Sequence, residues 1–395
     1  MMNEMKILMI SPTPTHPQDA GNRARVFGLA EQFRLLGHHP FFVYCDMEDA
    51  DIDMMRRYWG ERLLIYPRKR PDSSWRTTLL GKLWERVNTS FGNIEIDDWC
   101  PPDLAEAVQS LHAREKFQIV WVEYVFLSKT LDAFDSSVLK VVDAHDVFSD
   151  RRRRMALHGV KPEWFSASPE QEKRGLRRAD WVIAIHDRDA EAFRNIGISH
   201  TVAIGHFIEN HPIQTPPLGH RILFVGSDNA INVQAWTYFR REILARIQKR
   251  LPAVSIQVAG KICRRIPDGI HFRKLGVVED LAALYRSTTA AVNPLPWGTG
   301  LKIKTIEPLA YGCPVVTTPA GIEGIEEAEN RGILVGRDPA EFAEHIEGLL
   351  TCPPFREEQV QRAKGFLRDY LCKNHERILA VLNEKEESLR KEHVK

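Results

Sequence analysis

The chain has 395 residues, 43% of them apolar and 27% charged, and its 54 Lys and Arg against 53 Asp and Glu leave a net charge of +1. Such a length and composition suit a globular protein with two domains, each burying its own core. The near-neutral charge argues against bulk nucleic-acid binding, and no apolar run approaches the ~20 residues of a membrane-spanning helix.

The opening MMNEMKILMISP carries Glu4 and enters a strand-like run too early for a secretory leader, so a cytoplasmic protein is expected. Its six scattered cysteines contain no CxxC pair and read as plain thiols. Lys6–Ile10 is the first expected strand, followed by a loop with Pro12, Pro14 and Gly21 and a helix over Asn22–Leu36. Further strands are expected over Pro40–Cys45, Gln118–Val122, Leu139–Asp143 and Trp181–Ile185. These are continuous apolar runs rather than alternating ones, the pattern of parallel strands covered on both faces. The acidic stretch Asp49–Asp53 reads as a surface loop or helix start rather than a metal motif. The segment Gly205–His220, with three prolines and no periodicity, reads as a linker.

A second alternation then begins with strand Arg221–Val225. It continues through a helix over Val233–Lys249, strand Val254–Val258, a helix over Glu279–Arg286, strand Ala290–Asn293, a helix over Ile303–Tyr311, and strands Pro314–Thr317 and Gly332–Val335. Two successive βα series imply two doubly wound domains. The expected boundaries are 1–205, a linker over 206–220, 221–355, and charged C-terminal helices over 356–395 packing back toward the first domain.

Two segments carry chemistry. In Trp297–Pro319, Gly298 and Gly300 open a loop after a buried strand, and Pro308 is tolerated in a first helical turn. Lys302, Lys304 and Thr305 then lie at the helix mouth, where free N–H groups favour an anion, and Glu307 sits a turn further in. The pattern suits a phosphorylated ligand whose hydroxyls Glu307 accepts. In the first half, His145 lies between Asp143 and Asp146 at the end of an expected parallel strand, the edge where α/β sheets bind ligands. The run Arg151–Arg154 follows, either a solvated helix face or a contact for an anionic acceptor or membrane surface. No zinc-type spacing, no GxGxxG after a strand and no GxxxxGK[ST] occurs, which argues against a nicotinamide enzyme or an NTPase.

Glu307 with its glycine loop and the Gly312-Cys-Pro-Val-Val segment resemble the donor site of retaining GT-B glycosyltransferases of the family-4-like, group 1 branch. The Gly21-Asn22-Arg23 opening, Arg221–Ser227 with Asn232, and Val142-Asp-Ala-His-Asp146 fit the same pattern in the same order. The resemblance implies an α/β GT-B fold, two Rossmann-like domains facing a cleft. It implies transfer of a sugar, with retention, from a nucleotide-diphosphate-sugar to an acceptor hydroxyl in surface polysaccharide or glycoconjugate synthesis. Glu307 matches the second of two family glutamates eight residues apart, the one that binds the ribose; the first position holds Thr299, as in a sub-branch lacking that glutamate. Ser227 and Val233 stand where the family usually places an Arg and a Lys, so Lys302 and Lys304 are the expected diphosphate contacts. Implied donor-site residues are Gly21, Asn22, Gly226, Ser227, Gly298, Thr299, Gly300, Leu301, Lys302, Ile303 and Glu307, with catalytic roles for His145, Asp146 and Lys304. His145 is expected to hydrogen-bond the donor sugar, and Asp146 to orient it or contact the acceptor. Implied partners are the nucleotide sugar as co-substrate and a carbohydrate or lipid-linked acceptor, with no metal or other cofactor. Acceptor recognition is expected between Asp46 and Pro101, with peripheral contact at the inner membrane face. A sugar-nucleotide epimerase, a non-catalytic sugar-nucleotide-binding protein and a polysaccharide-assembly scaffold are the alternative readings.

Overall fold

A computed structural model describes residues 4–67, 95–149, 151–159, 165–209, 219–278, 280–298 and 300–393. Thr299, most of the expected linker (210–218) and much of the expected acceptor region (68–94) lie outside the described residues.

The first sheet contains β1 (Lys6–Ser11), β2 (His39–Cys45), β3 (Leu63–Tyr66), β4 (Ile119–Glu123), β5 (Leu139–Asp143), β6 (Trp181–Ala184) and β7 (Thr201–Ala203), in the order β3-β2-β1-β4-β5-β6-β7. All its pairings are parallel. Both faces are covered. Leu8, Ile10, Val120 and Val122 enter one core and Ile7, Met9, Ile119 and Trp121 the other, as the uninterrupted apolar runs predict.

The second sheet contains β8 (Arg221–Val225), β9 (Ser255–Ala259), β10 (Arg273–Gly276), β11 (Ala290–Asn293), β12 (Val315–Thr317) and β13 (Ile333–Val335), in the order β10-β9-β8-β11-β12-β13, again all parallel. Each sheet therefore reverses its winding once, at β1/β4 and at β8/β11. Chains leave those neighbouring strands in opposite directions and open a crevice at the carboxyl edge.

A long helix, Pro353–His393, ties the two halves together. Its Phe366 and Tyr370 pack in a second-domain core, whereas Ile378, Val381 and Leu382 pack in a first-domain core. The Tyr370 hydroxyl accepts the His206 N–H at 2.7 Å, Asn374 Oδ1 accepts the Gly205 N–H at 2.9 Å, and Arg377 donates to the Ala203 carbonyl at 2.8 Å. Gly205 has to be glycine here, because a Cβ would lie 2.0 Å from the Tyr370 hydroxyl.

Candidate functional site

The second-domain wall is built at the β8/β11 crevice. After β8 the chain turns through Gly226 and Ser227 into the helix Ala230–Tyr238, capped by Asn229, whose side chain accepts the Asn232 N–H at 2.8 Å. The Asn232 amide donates to Ser227 Oγ at 2.8 Å and to the Ser227 carbonyl at 3.1 Å, leaving its own Oδ1 to accept Lys304 Nζ. Lys304 also lies with Nζ 5.7 Å from the Phe224 ring centre. Burial brings its ammonium down to about 7, and the charge of Lys302 adds to the effect. Lys302 is 7% exposed and pairs with Glu323 at 3.0 Å. Two lysines crowd into this corner, and among the described residues only Lys302 has a carboxylate partner, an excess of positive charge that would suit a strong anion.

Glu307 is half-buried and accepts the Tyr285 hydroxyl at 3.2 Å. Burial pushes its carboxyl up to about 7 against that hydrogen bond. The helix around it departs from expectation. A single α-turn, Ile303–Ile306, gives way to a 3-10 turn over Glu307–Tyr311, and Pro308 stands at the start of the second piece rather than in the first turn of one helix. Four α-helical residues align few peptide dipoles, so the positive field at the loop comes from the two lysines rather than from a helix mouth. Gly312, at φ 73°, ends the segment in a left-handed conformation, the cap expected of it.

The first-domain wall centres on His145, just beyond β5. Its imidazole Nε2 lies 2.5 Å from Glu123 Oε2, and its ring stacks on Tyr124 with centres 4.0 Å apart and planes 13° apart. Both residues have positive φ, 61° at His145 and 70° at Tyr124, a conformation that side chains adopt only where packing enforces it. The next loop is held by Glu172, which accepts the Phe148 N–H at 2.7 Å and the Ser149 N–H at 2.8 Å. Asp146 Oδ1 accepts the Val147 N–H at 2.9 Å, and Oδ2 lies 3.7 Å from Arg151. Asn22 directs its amide to Thr13 and Glu48 at 3.2 and 3.3 Å, a first-domain network that fixes the Gly21 loop.

The two walls meet. A Cβ on Gly300 would lie 3.4 Å from the His145 carbonyl oxygen, and one on Gly21 would lie 3.4 Å from Ile303 Cδ1. Lys261 pairs with Asp19 at 2.8 Å and Arg188 with Glu326 at 2.6 Å across the cleft, and His158 stacks on Trp297. The structure thus brings Ser227 and Lys304 into one network through Asn232, and sets Gly300 beside His145 and Asp146 and Gly21 beside Ile303, whereas Gly226 bonds instead to Ala259 and Ile262. Leu301 and Ile303 are buried beneath this surface.

Four contributors escaped the sequence reading: Glu123, Arg25, Tyr285 and Glu323. Glu123 left one signal, a lone charge ending the buried run Ile119–Glu123. Glu123, Asp143 and His145 place ligand atoms within 4.8 Å of one another, a spacing open to a cation. Both Asp143 oxygens, however, are held by the Arg25 guanidinium, at 3.1 and 2.9 Å, which already supplies positive charge to that corner.

The architecture is the GT-B fold: two doubly wound α/β domains with their carboxyl edges facing across a cleft. TarM from S. aureus, crystallised with UDP, superposes with a TM-score of 0.67 at 12% identity, over 97% of this chain and 99% of that one. HepE from Anabaena, crystallised with UDP and glucose, gives 0.61 at 16% identity, over 98% and 100%. Residues 219–352, the second domain, match the family described as Glycosyl transferases group 1. The D-inositol 3-phosphate glycosyltransferase of Frankia alni is 33% identical over 109 residues, and an uncharacterized protein of the Klebsiella pneumoniae cps region is 26% identical over 138. Those matches span 26% and 36% of the two relatives' own lengths, and 26% and 32% of this chain. Among the described residues no helix is long and apolar enough to cross a membrane.

Proposed function

We propose that this protein is a glycosyltransferase that moves a sugar from a nucleotide-diphosphate donor to an acceptor hydroxyl, with retention at the anomeric carbon. One observation carries the reading. The group 1 match over residues 219–352 includes Ser227, Lys302, Lys304 and Glu307, Ser227 and Lys304 are joined there through Asn232, and Gly300 of the same segment lies beside His145 across a GT-B cleft.

In this reading Glu307 accepts the ribose hydroxyls, a task suited to a carboxylate at the cleft edge. Lys304 and Lys302 hold the diphosphate, and their charge stabilises it as it leaves. Lys302 exchanges its present partner, Glu323, for phosphate. The reading invokes no metal, since the lysines supply the positive charge that a leaving diphosphate needs. His145 hydrogen-bonds the sugar, with Asp146 near the incoming hydroxyl. UDP-sugars are the first donors to test, because UDP is the nucleotide in both structural neighbours. The similarity to a cps-region protein favours a surface-polysaccharide intermediate as acceptor. A lipid-linked intermediate would bring the helix Arg151–Leu157, with Leu157 77% exposed, toward a membrane face.

The test is a thermal-shift and slow-hydrolysis screen against nucleotide sugars, run on the wild type and Glu307→Ala. Stabilisation by one nucleotide family, lost in the variant and accompanied by trace hydrolysis, is the expected result. A wild type unmoved by every nucleotide sugar, or a variant responding equally, overturns the reading.

A further inference from the structure

Beneath the first-domain wall four ionisable groups from separate elements meet. Glu123 and Asp143 are fully buried, Arg25 is 4% exposed and His145 8%. Arg25 and Asp143 neutralise each other through their paired hydrogen bonds, and the remaining Arg25 N–H groups donate to the Ile204 and Gly205 carbonyls, each at 3.0 Å. Glu123 is left to His145. Its Oε2 meets Nε2 at 2.5 Å, while its Oε1, equally buried, has no hydrogen-bond partner among the described residues.

This arrangement limits where protons sit. A carboxylate beside a neutral imidazole would leave one uncompensated negative charge, with one oxygen bare, in the interior, which burial strongly disfavours. A proton added to the pair removes that charge. It gives either a neutral carboxyl donating to Nε2 or a carboxylate facing an imidazolium. In both arrangements Nε2 is engaged and the other ring nitrogen, Nδ1, carries a hydrogen. Burial pushes the Glu123 carboxyl up and the Asp143 charge adds to this, while His145 and Arg25 pull it back. Through Arg25, the Tyr370 hydroxyl also acts on the cluster. The Tyr124 stack and the two positive-φ residues prevent the ring from turning to another partner.

We propose that Glu123 is a positioning residue that fixes His145 as an Nδ1–H donor toward an oxygen of the bound sugar. Only the identity of that oxygen rests on the transferase reading; the tautomer is a property of the protein alone. A ring so held donates to a lone pair and cannot serve as a base through Nδ1, which distinguishes this histidine from a proton acceptor for the incoming hydroxyl.

Two measurements test this. Long-range ¹H–¹⁵N correlation of the histidine rings, with His145 assigned by its loss in His145→Gln, reads the tautomer directly. The wild type is expected to show Nδ1 protonated, and Glu123→Leu to lose that fixed tautomer. A wild-type His145 with bare Nδ1 overturns the proposal, even if Glu123→Leu does not fold. Once a donor is known, Glu123→Leu is expected to lower kcat about 10–100-fold, the scale seen when a metal-ligating histidine loses its outer partner, with donor KM within about twofold. Glu123→Gln, whose amide can donate to Nε2, should recover part of the loss. Losses that merely track the unfolded fraction in both variants would reduce Glu123 to a structural role. Failure to find any donor would sink the transferase reading and leave the tautomer result standing.

Discussion

The two walls of the cleft differ in how their charges are balanced. In the first domain they are balanced internally: Arg25 holds Asp143 through two hydrogen bonds, and Glu123 holds His145. In the second, among the described residues, Lys304 has only the neutral Asn232 and the face of Phe224, and Glu307 only a tyrosine hydroxyl. Burial drives both of these groups to about 7, a shift that follows from the lack of an opposite charge beside either one among the described residues. On the proposed function, one wall is a preorganised surface and the other would be completed by its ligand. The largest effect that tests this contrast is therefore on stability and belongs to the first wall. Arg25→Met leaves Asp143 buried and uncompensated and should cost about 3–5 kcal/mol, read by denaturant unfolding. A loss below about 1 kcal/mol would mean that Asp143 is solvated or neutral, and the contrast would fail.

The matching change in the second wall should spare the fold and remove function. Lys304→Met relieves a buried, poorly compensated ammonium, so its unfolding midpoint should hold or rise. Donor turnover should fall on the order of 10²–10³-fold, the scale seen when one group stabilising a developing charge is removed. A variant that loses stability and keeps turnover would reverse the roles of the two walls.

The pH dependence sharpens the same point. On the proposed function, phosphate binding would need Lys304 protonated and be lost as pH rises through about 7, and hydroxyl binding by ionised Glu307 would be lost as pH falls through about 7. The kcat/KM profile should be a bell centred near neutrality, falling about tenfold per pH unit on each side. Lys304→Arg, always charged, should flatten the alkaline limb and Glu307→Gln the acid limb. A profile unchanged by either substitution would assign its limbs to other groups.

What the sequence revealed divides along the same line. Strands β5, β8 and β11 fall on the expected residues, because buried parallel strands leave continuous apolar runs. Strands β3, β7 and β10 went unread because they are only three or four residues long, and β3 and β10 are also too weakly buried to imprint a pattern. The second wall was legible because its loop, lysines and glutamate lie within ten residues of one another, from Gly298 to Glu307. The first wall's partnerships were not. Arg25 and Asp143 are 118 residues apart and Glu123 and His145 are 22 apart, and only the strand order β1-β4-β5 brings them together. A local motif can show what a site presents to a ligand; a charge neutralised across the sheet has no local signature.

The smallest expected effect concerns what holds the walls together. Arg188 reaches from the first domain to Glu326 at 2.6 Å and to Glu323 at 3.4 Å, but its side chain is 61% exposed. An exposed pair of this kind contributes about 0–1 kcal/mol and is screened by salt. Arg188→Ala should therefore leave the thermal midpoint within a degree or two and change kcat/KM by about twofold at low ionic strength, with no difference at high salt. Glu323 makes the outcome informative, because it also pairs with the buried Lys302 at 3.0 Å. On the proposed function, phosphate would take Lys302 and free Glu323 for Arg188, so donor binding would strengthen the cross-cleft pair as it weakens the internal one. A salt-insensitive loss of tenfold or more in Arg188→Ala would show that closure depends on this exchange. An effect confined to low salt would show that the long helix and the Gly21–Ile303 contact hold the walls without it.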